Sequence, residues 1–259
     1  MVRPIRPEEY LHDYLLEDSL VTVTLRRLLW RTPLHFENNI YTDVHYGQMQ
    51  WDYLNGGMLL SCTKEMEMQV GVLAMLQHWA KPEQQNSALS SWAGGELVSA
   101  CWHREELKEY TPKTLQSYIS PEVLQHQVEM LLRTRQPLPP VDAKIQFIEH
   151  VMKLPFFGYT IYFVERVSDD TISVPCFFGV NEEEIIVVDK TSQAVSCIIP
   201  LKELQKMRTL RPLSDGGLPG LELNYGSAAS PKTMWLELAQ AKEMYHTVVV
   251  ILDKTELHH

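Results

Sequence analysis

Three consecutive carboxylates, Glu182, Glu183 and Glu184, stand between two strongly apolar runs in FFGVNEEEIIVVDKTSQAVSCIIP, residues 177–200. Adjacent acids of this kind can form a metal site, a catalytic cluster or a solvated turn. His103 beside Glu105 and Glu106 offers an acid/base pair, and His45 and His246 are further candidates for proton transfer or metal ligation. The cysteines Cys62, Cys101, Cys176 and Cys197 add thiols that can serve as nucleophiles or zinc ligands.

None of these sets has the spacing its chemistry requires. Neighbouring glutamates on one hairpin do not converge on a cation without ligands from elsewhere. The cysteines are far apart, with no C-x-x-C pair and no histidine at zinc-finger distance, so they read as reduced, mostly buried thiols. The motifs G-x-S-x-G, H-E-x-x-H, G-x-x-x-x-G-K-[ST] and G-x-G-x-x-G are absent. HREE, residues 103–106, lies in a polar connection and reads as a solvated loop, while His45 and His246 fall on expected helices as core-edge side chains. Trp51, Trp79, Met68 and Met75 recur at helical core spacing and read as packing, not a cofactor box. The expectation is a non-enzyme with no catalytic residue, no metal and no cofactor.

The charge balance narrows the partners. A formal charge of -10 over 259 residues argues against nucleic acid, which needs a basic footprint, and against anionic membranes. Hydrophobic residues at 45% and charged ones at 22% suit a globular protein with a sizeable core. There is no run of 18 apolar residues, and MVRPIRPEEY lacks a signal-peptide core, so a cytosolic chain is expected.

The elements that hold these residues change character along the chain. Val21, Val23 and Leu25 alternate with Thr22 and Thr24, which predicts a strand over 19–30 ended by Arg31-Thr-Pro33. A helix follows with Ile40, Val44, Trp51 and Leu54 on its apolar face, stopped by Asn55-Gly-Gly57. The next has Met68, Val72, Met75 and Trp79 on one face, with Thr63 as N-cap and Glu65 and Glu67 favourable in the first turn. SALSSWAGGELVSACW, residues 87–102, reads as a weaker helix. Thr111-Pro112 and Ser120-Pro121 read as cap-then-proline starts, with a stripe of Leu124, Val128 and Leu131 after the second. Gln136-Pro-Leu-Pro-Pro140 is taken as a lobe boundary. Beyond it a short helix presents Ile145, Ile148 and Met152 and ends at Pro155.

About seven antiparallel strands then follow, with short turns between them, the pattern of a sandwich or barrel. The glutamate run sits in one of those turns: Val180-Asn-Glu-Glu-Glu184 joins ISVPCFFGV to EIIVVDK, Asn181 tolerates the left-handed conformation a turn can require, and water screens the acids. A final helix, from about Ala239 to Asp253, can turn Ala241, Met244, Val248, Ile251 and Leu252 inward.

A helical lobe, a proline-rich joint, a strand-rich unit and a closing helix, in that order, resemble the FERM domain over nearly the whole chain. YTDVHYGQMQWDYLNGGM resembles the first helix of its central, acyl-CoA-binding-protein-like lobe. DAKIQFIEHVMKLPFFGYTIYFVERV resembles the helix-to-first-strand entry to its phosphotyrosine-binding or pleckstrin-homology-like C-terminal lobe, and EIIVVDKTSQAVSCIIPLKELQKM resembles that lobe's third and fourth strands, short helical turn and fifth strand. VTLRRLLWRTPLHFENNIYTDVHYGQMQWDYLNGG is most similar to the tail FERM of unconventional myosins of classes seven and fifteen. The resemblance implies an α+β chain: 1–34 as the end of a ubiquitin-like first lobe and connector, 35–140 as the helical lobe, and 141–259 as the β-sandwich with a C-terminal helix.

What the resemblance implies about function is cargo or adaptor binding by a myosin tail, with cytoplasmic peptides of adhesion receptors or scaffold proteins as partners. It also implies a cytoplasmic, cytoskeleton-associated location in actin-rich protrusions. The physical route is strand addition beside the fifth strand of the C-terminal lobe, next to the last helix. Lys206, Met207, Arg208, Thr209 and Arg211 on the strand, and Lys242, Tyr245 and Val249 on the helix, are the candidate residues. Against this stands a solvated edge strand whose cations only deter aggregation. A phosphoinositide reader is an alternative, although Asp169 and Asp170 occupy the loop that would need cations. An autoinhibitory tail contacting other tail domains is another.

Overall fold

The structure, a computed structural model, describes residues 4–5, 8–17, 20–81 and 104–256. It divides into two compact units, Pro33–Phe157 and Gly158–His259 together with Met1–Thr32.

The N-terminal segment has a short helix, α1 (Leu11–Glu17), and no strand among its described residues. The alternation over 19–30 does not become a ladder: Val23 is 56% and Leu25 91% exposed. An extended segment is a strand only where another edge completes its hydrogen bonds, and residues 20–32 meet none. Leu28 and Leu29 instead pack against the core of the β unit.

The helical unit contains α2 (Asn39–Asn55), α3 (Lys64–Trp79), α4 (Arg104–Glu109), α5 (Pro121–Thr134) and α6 (Pro140–Val151). Asn38 caps α2, its Oδ1 accepting from the Ile40 and Tyr41 N–H groups at 2.9 and 3.3 Å, and left-handed Gly56 ends it. The buried face of α2 is not the expected one. Thr42, His45, Tyr46, Met49 and Tyr53 are buried, whereas Ile40, Val44 and Trp51 face solvent. The helix carries two overlapping stripes, and the neighbours choose between them: Tyr46 and Tyr53 pack edge-on against Phe147 of α6, at centroid distances of 5.1 and 5.9 Å.

Thr63 caps α3 as expected, accepting from the Met66 N–H at 3.1 Å. Met75 and Trp79 are buried, but Met68 is exposed, and Val70, Leu73, Ala74 and Leu76 enclose the helix on its other sides. The buried Gln77 amide donates to the Leu73 and Tyr110 carbonyls and accepts from Gln50, so burying it leaves no polar group stranded. Thr111-Pro112 opens turns, not a helix, with the Thr111 hydroxyl donating back to the Leu107 carbonyl. Ser120 precedes α5, yet its hydroxyl donates to Glu122. Leu124 and Val128 are buried, as their spacing predicts.

The prolines at 136–140 do not separate the two units. Ala143, Phe147, Ile148 and Val151 of α6 are buried, and α6 packs on α2 and α3, so the division falls after Phe157. The expected helix at 87–102 and His103 lie outside the described residues.

The β unit contains β1 (Thr160–Val164), β2 (Arg166–Val167), β3 (Cys176–Val180), β4 (Glu184–Asp189), β5 (Val195–Pro200), β6 (Leu204–Leu210), β7 (Gly220–Ser227), β8 (Ser230–Glu237) and α7 (Ala241–Glu256). Two antiparallel sheets form, in the orders β1-β3-β4-β5 and β2-β8-β7-β6. Their inner faces meet in a core that includes Tyr162, Phe178, Val187, Ile199, Leu223 and Leu236. The inward stripe of α7 is the expected one, with Ala241, Met244, Val248 and Ile251 buried in that core, and the Tyr162 hydroxyl donates to Thr247 at 2.7 Å.

Candidate peptide-binding edge

The glutamate run forms a turn. Asn181 builds it through its side chain, with no left-handed backbone: its Oδ1 accepts from the Glu183 and Glu184 N–H groups, both at 2.9 Å. Glu184 accepts from the Tyr159 hydroxyl at 2.6 Å, and Glu183 lies 3.6 Å from Arg31. Among the described residues, no group of three or more His, Cys, Asp or Glu side chains could hold a metal ion.

The other chemistry-bearing residues are dispersed. His45 is buried, its Nδ1 2.8 Å from the Tyr41 carbonyl, and His246 is half-buried with its ring against Tyr245. Burial pushes the Cys176 thiol up to about 11, the opposite of what a nucleophile needs. Cys62 is exposed, against the expectation of mostly buried thiols.

A usable recognition feature sits at the margin of the second sheet. β6 is its terminal strand and pairs only with β7, in the register Lys206↔Asn224, Met207↔Leu223, Arg208↔Glu222 and Thr209↔Leu221. Residues alternate across a strand, so Met207 and Thr209 oppose the buried Leu223 and Leu221, while Lys206 and Arg208 line the outer face. Met207 is half-buried on the core; Lys206, Arg208, Thr209 and Arg211 are exposed. α7 packs beside β6 and β7. On it Lys242 is exposed, Tyr245 and Val249 are half-buried, and Val248 is fully buried. Lys206, Met207, Arg208 and Thr209 thus lie on β6, Arg211 lies just past its end, and Lys242, Tyr245 and Val249 lie on the helix packed beside it.

The strand's charge is less free than its sequence reads. Arg208 donates two hydrogen bonds of 2.8 Å to the Glu222 carboxylate, from Nε and from Nη2. Those bonds hold the Glu222 carboxyl below its ordinary range, and Asn224 and nearby Lys206 act in the same direction. Asn224 in turn accepts from the Thr233 hydroxyl at 2.7 Å, so a polar chain crosses the outer face from β6 to β8. Glu222 is a residue that inspection of β6 alone misses. The signal lay in LELN at 221–224, whose alternation puts Glu222 and Asn224 on the face opposite the core. Among the described residues Lys206 and Arg211 make no hydrogen bond or ion pair through their side chains.

The loop after β2, residues 168–175, offers no cation to a headgroup. Asp169 accepts from the Thr171 N–H and hydroxyl at 2.9 and 2.6 Å, and these bonds hold its carboxyl below the usual range. No helix among the described residues is long and apolar enough to cross a membrane.

Comparison with known proteins identifies the company this arrangement keeps. Residues 31–162 match the sequence profile of the FERM central domain. Human unconventional myosin-XVB is 38% identical over 255 residues, 98% of this chain and 8% of that protein. Human unconventional myosin-XV is 29% identical over 262 residues, 97% of this chain and 7% of that protein. The chain thus spans 8% and 7% of the length of these curated relatives. Among solved structures, the human myosin 7b C-terminal MyTH4-FERM domain, in complex with the harmonin-a PDZ3 domain, aligns with a TM-score of 0.61 and 17% identity, over 88% of this chain and 42% of that one. The Dictyostelium discoideum myosin VII MyTH4-FERM MF2 domain aligns with a TM-score of 0.53 and 12% identity, over 81% and 37%. These structural likenesses show a shared fold.

Proposed function

The chain belongs to the FERM family, and we propose that it works as a non-enzymatic interaction module that binds cargo or adaptors for an unconventional myosin tail. The supporting observation is the β6 edge. It is the end strand of its sheet, has α7 beside it, exposes Lys206, carries a half-buried Met207 beneath, and is followed directly by the exposed Arg211. An extended peptide added there gains main-chain hydrogen bonds, while alternate side chains meet Lys206 on the outer face and the Met207, Tyr245 and Val249 surface on the other, with Arg211 just past the strand's end. The preferred ligand has acidic residues at every second position, or a free carboxylate. Cytoplasmic tails of adhesion receptors and scaffold proteins are the proposed sources, and the PDZ-domain complex of the myosin 7b relative supports scaffold partners. A cytoplasmic, cytoskeleton-associated location follows from the same reading, as does assignment of residues 1–34 to the end of a first lobe.

The test is fluorescence anisotropy with a labelled peptide of alternating valine and glutamate, against one of alternating valine and lysine. Binding of the acidic peptide only, weakened about tenfold by Lys206→Glu, by Arg211→Glu or by Val249→Asp, is the expected result. Equal binding of both peptides, or variants without effect, would place the site elsewhere.

A further inference from the structure

The β6–β7 connection carries a feature that peptide addition does not use. Residues 211–218, Arg-Pro-Leu-Ser-Asp-Gly-Gly-Leu, are exposed throughout, and Leu213 at 93% is the most exposed large apolar side chain among the described residues. The tip is a turn in which the Gly217 N–H donates to the Ser214 carbonyl at 3.0 Å, and Gly216 holds a φ of 81°. Several hydroxyls in this unit's loops are engaged. Ser192 donates to Asp189, Thr171 donates to Asp169, Ser168 accepts from the Trp235 N–H, and Ser227 accepts from the Ser230 N–H. The Ser214 hydroxyl has no hydrogen-bond partner among the described residues. Arg211 stands three positions before it, exposed and with no side-chain hydrogen bond or ion pair among the described residues, and Arg208 stands six before it.

A free hydroxyl in an exposed, irregular segment, with a guanidinium three residues upstream, is the substrate form that a kinase with an acidic cleft recognises, because the guanidinium forks onto carboxylates. We propose that Ser214 is a phosphorylation site for an arginine-directed protein kinase, and that phosphate there closes the β6 edge to acidic peptides. The second half rests on the peptide-edge reading of β6; the first does not. In the transfer, Ser214 Oγ bonds to the γ-phosphorus of ATP and the bond to the β–γ bridging oxygen breaks. The hydroxyl proton passes to the kinase's base and ADP departs. The product carries about -1.5 to -2 charges at pH 7 and three acceptor oxygens. Arg211, three residues away and unpaired, is within chain reach of that phosphate, while Arg208 is already held by Glu222. The edge thus loses its free guanidinium and gains a dianion at the end where an acidic ligand would lie.

The experiment incubates the intact chain with ATP and the catalytic domain of calcium/calmodulin-dependent protein kinase II, then with that of cyclic-AMP-dependent kinase, with an acid-directed casein kinase as control. Mass spectrometry locates the phosphate. Incorporation at Ser214 by an arginine-directed kinase, abolished in Ser214→Ala and slowed about tenfold in Arg211→Ala, is expected. No phosphate at Ser214 with either arginine-directed kinase, or equal incorporation in Arg211→Ala, would overturn the site. The phosphorylated chain and Ser214→Asp are then titrated with the valine–glutamate peptide. About tenfold weaker binding than that of the unmodified chain, a difference that shrinks at high salt, is expected. Unchanged affinity at a phosphorylated Ser214 would overturn the regulatory half alone. Failure of the unmodified chain to bind the peptide at all would fall on the edge reading and remove the regulatory half with it, leaving the site to the mass spectrum.

Discussion

The two units are held together in different ways. In the helical unit the packing partners are distant in sequence: α6 closes on α2 and α3, and Phe147 fills the space between Tyr46 and Tyr53. In the β unit, neighbours in the sheets are mostly neighbours in the chain, from β3 to β4 to β5 and from β6 to β7 to β8. Each therefore leaves a different kind of surface. The helical unit leaves whole side chains outside, such as Ile40, Val44 and Trp51. The β unit leaves a backbone edge, β6, whose hydrogen-bonding groups are open on one side. A strand edge recognises an extended peptide whatever its sequence and lets a few side chains choose, which is why the functional reading settles there.

The sharpest way to break this contrast is to delete a long-range contact. Phe147→Ala should destabilise the helical unit by about 3–5 kcal/mol, whereas Val44→Ala, on the exposed face of the same bundle, should stay within about 0.5 kcal/mol. Urea denaturation followed by circular dichroism reads both, and equal losses would mean the buried face of α2 is misassigned.

That face was the part the sequence left open. Ile40, Val44 and Trp51 are more hydrophobic by type than Thr42, His45 and Tyr46, so hydropathy favours the wrong stripe; only the arrival of Phe147 from about a hundred residues away decides. The strands were legible because alternation fixes a strand's face without knowledge of its neighbours. For the same reason Val21, Val23 and Leu25 misled: alternation states that a segment can pair, not that an edge is present. At the candidate edge, the cations of β6 were readable and the grip of Glu222 on Arg208 was not, since cross-strand register lies beyond one strand's sequence.

A second effect separates the units by pH. Burial, assisted by the Lys81 charge, lowers His78 in the helical unit to about 4. An unfolded histidine titrates near roughly 6.5, so between those values the unfolded chain binds more protons. The stability this neutral side chain contributes is present above the unfolded value and is lost as pH falls towards 4. About 1–2 kcal/mol should disappear between pH 7 and pH 5 and be retained in His78→Gln, measured by urea titration at each pH. A wild-type loss matched by the variant would assign the pH dependence to other groups.

Smaller still is the α2 cap. Asn38→Ala should cost about 1 kcal/mol and Asn38→Ser almost nothing, read from melting temperatures. Equal losses would show that the helix start is set by packing and not by the side-chain acceptor.

The central claim is that β6 and α7 form the docking edge. Hydrogen–deuterium exchange of the intact chain, with and without the valine–glutamate peptide, tests it most directly, because an added strand must slow the amides it covers. The account predicts slowed exchange confined to residues 204–211 and to the Lys242–Val249 side of α7, with the helical unit unchanged. Protection in Pro33–Phe157, or none along β6 when the peptide is bound, would contradict it.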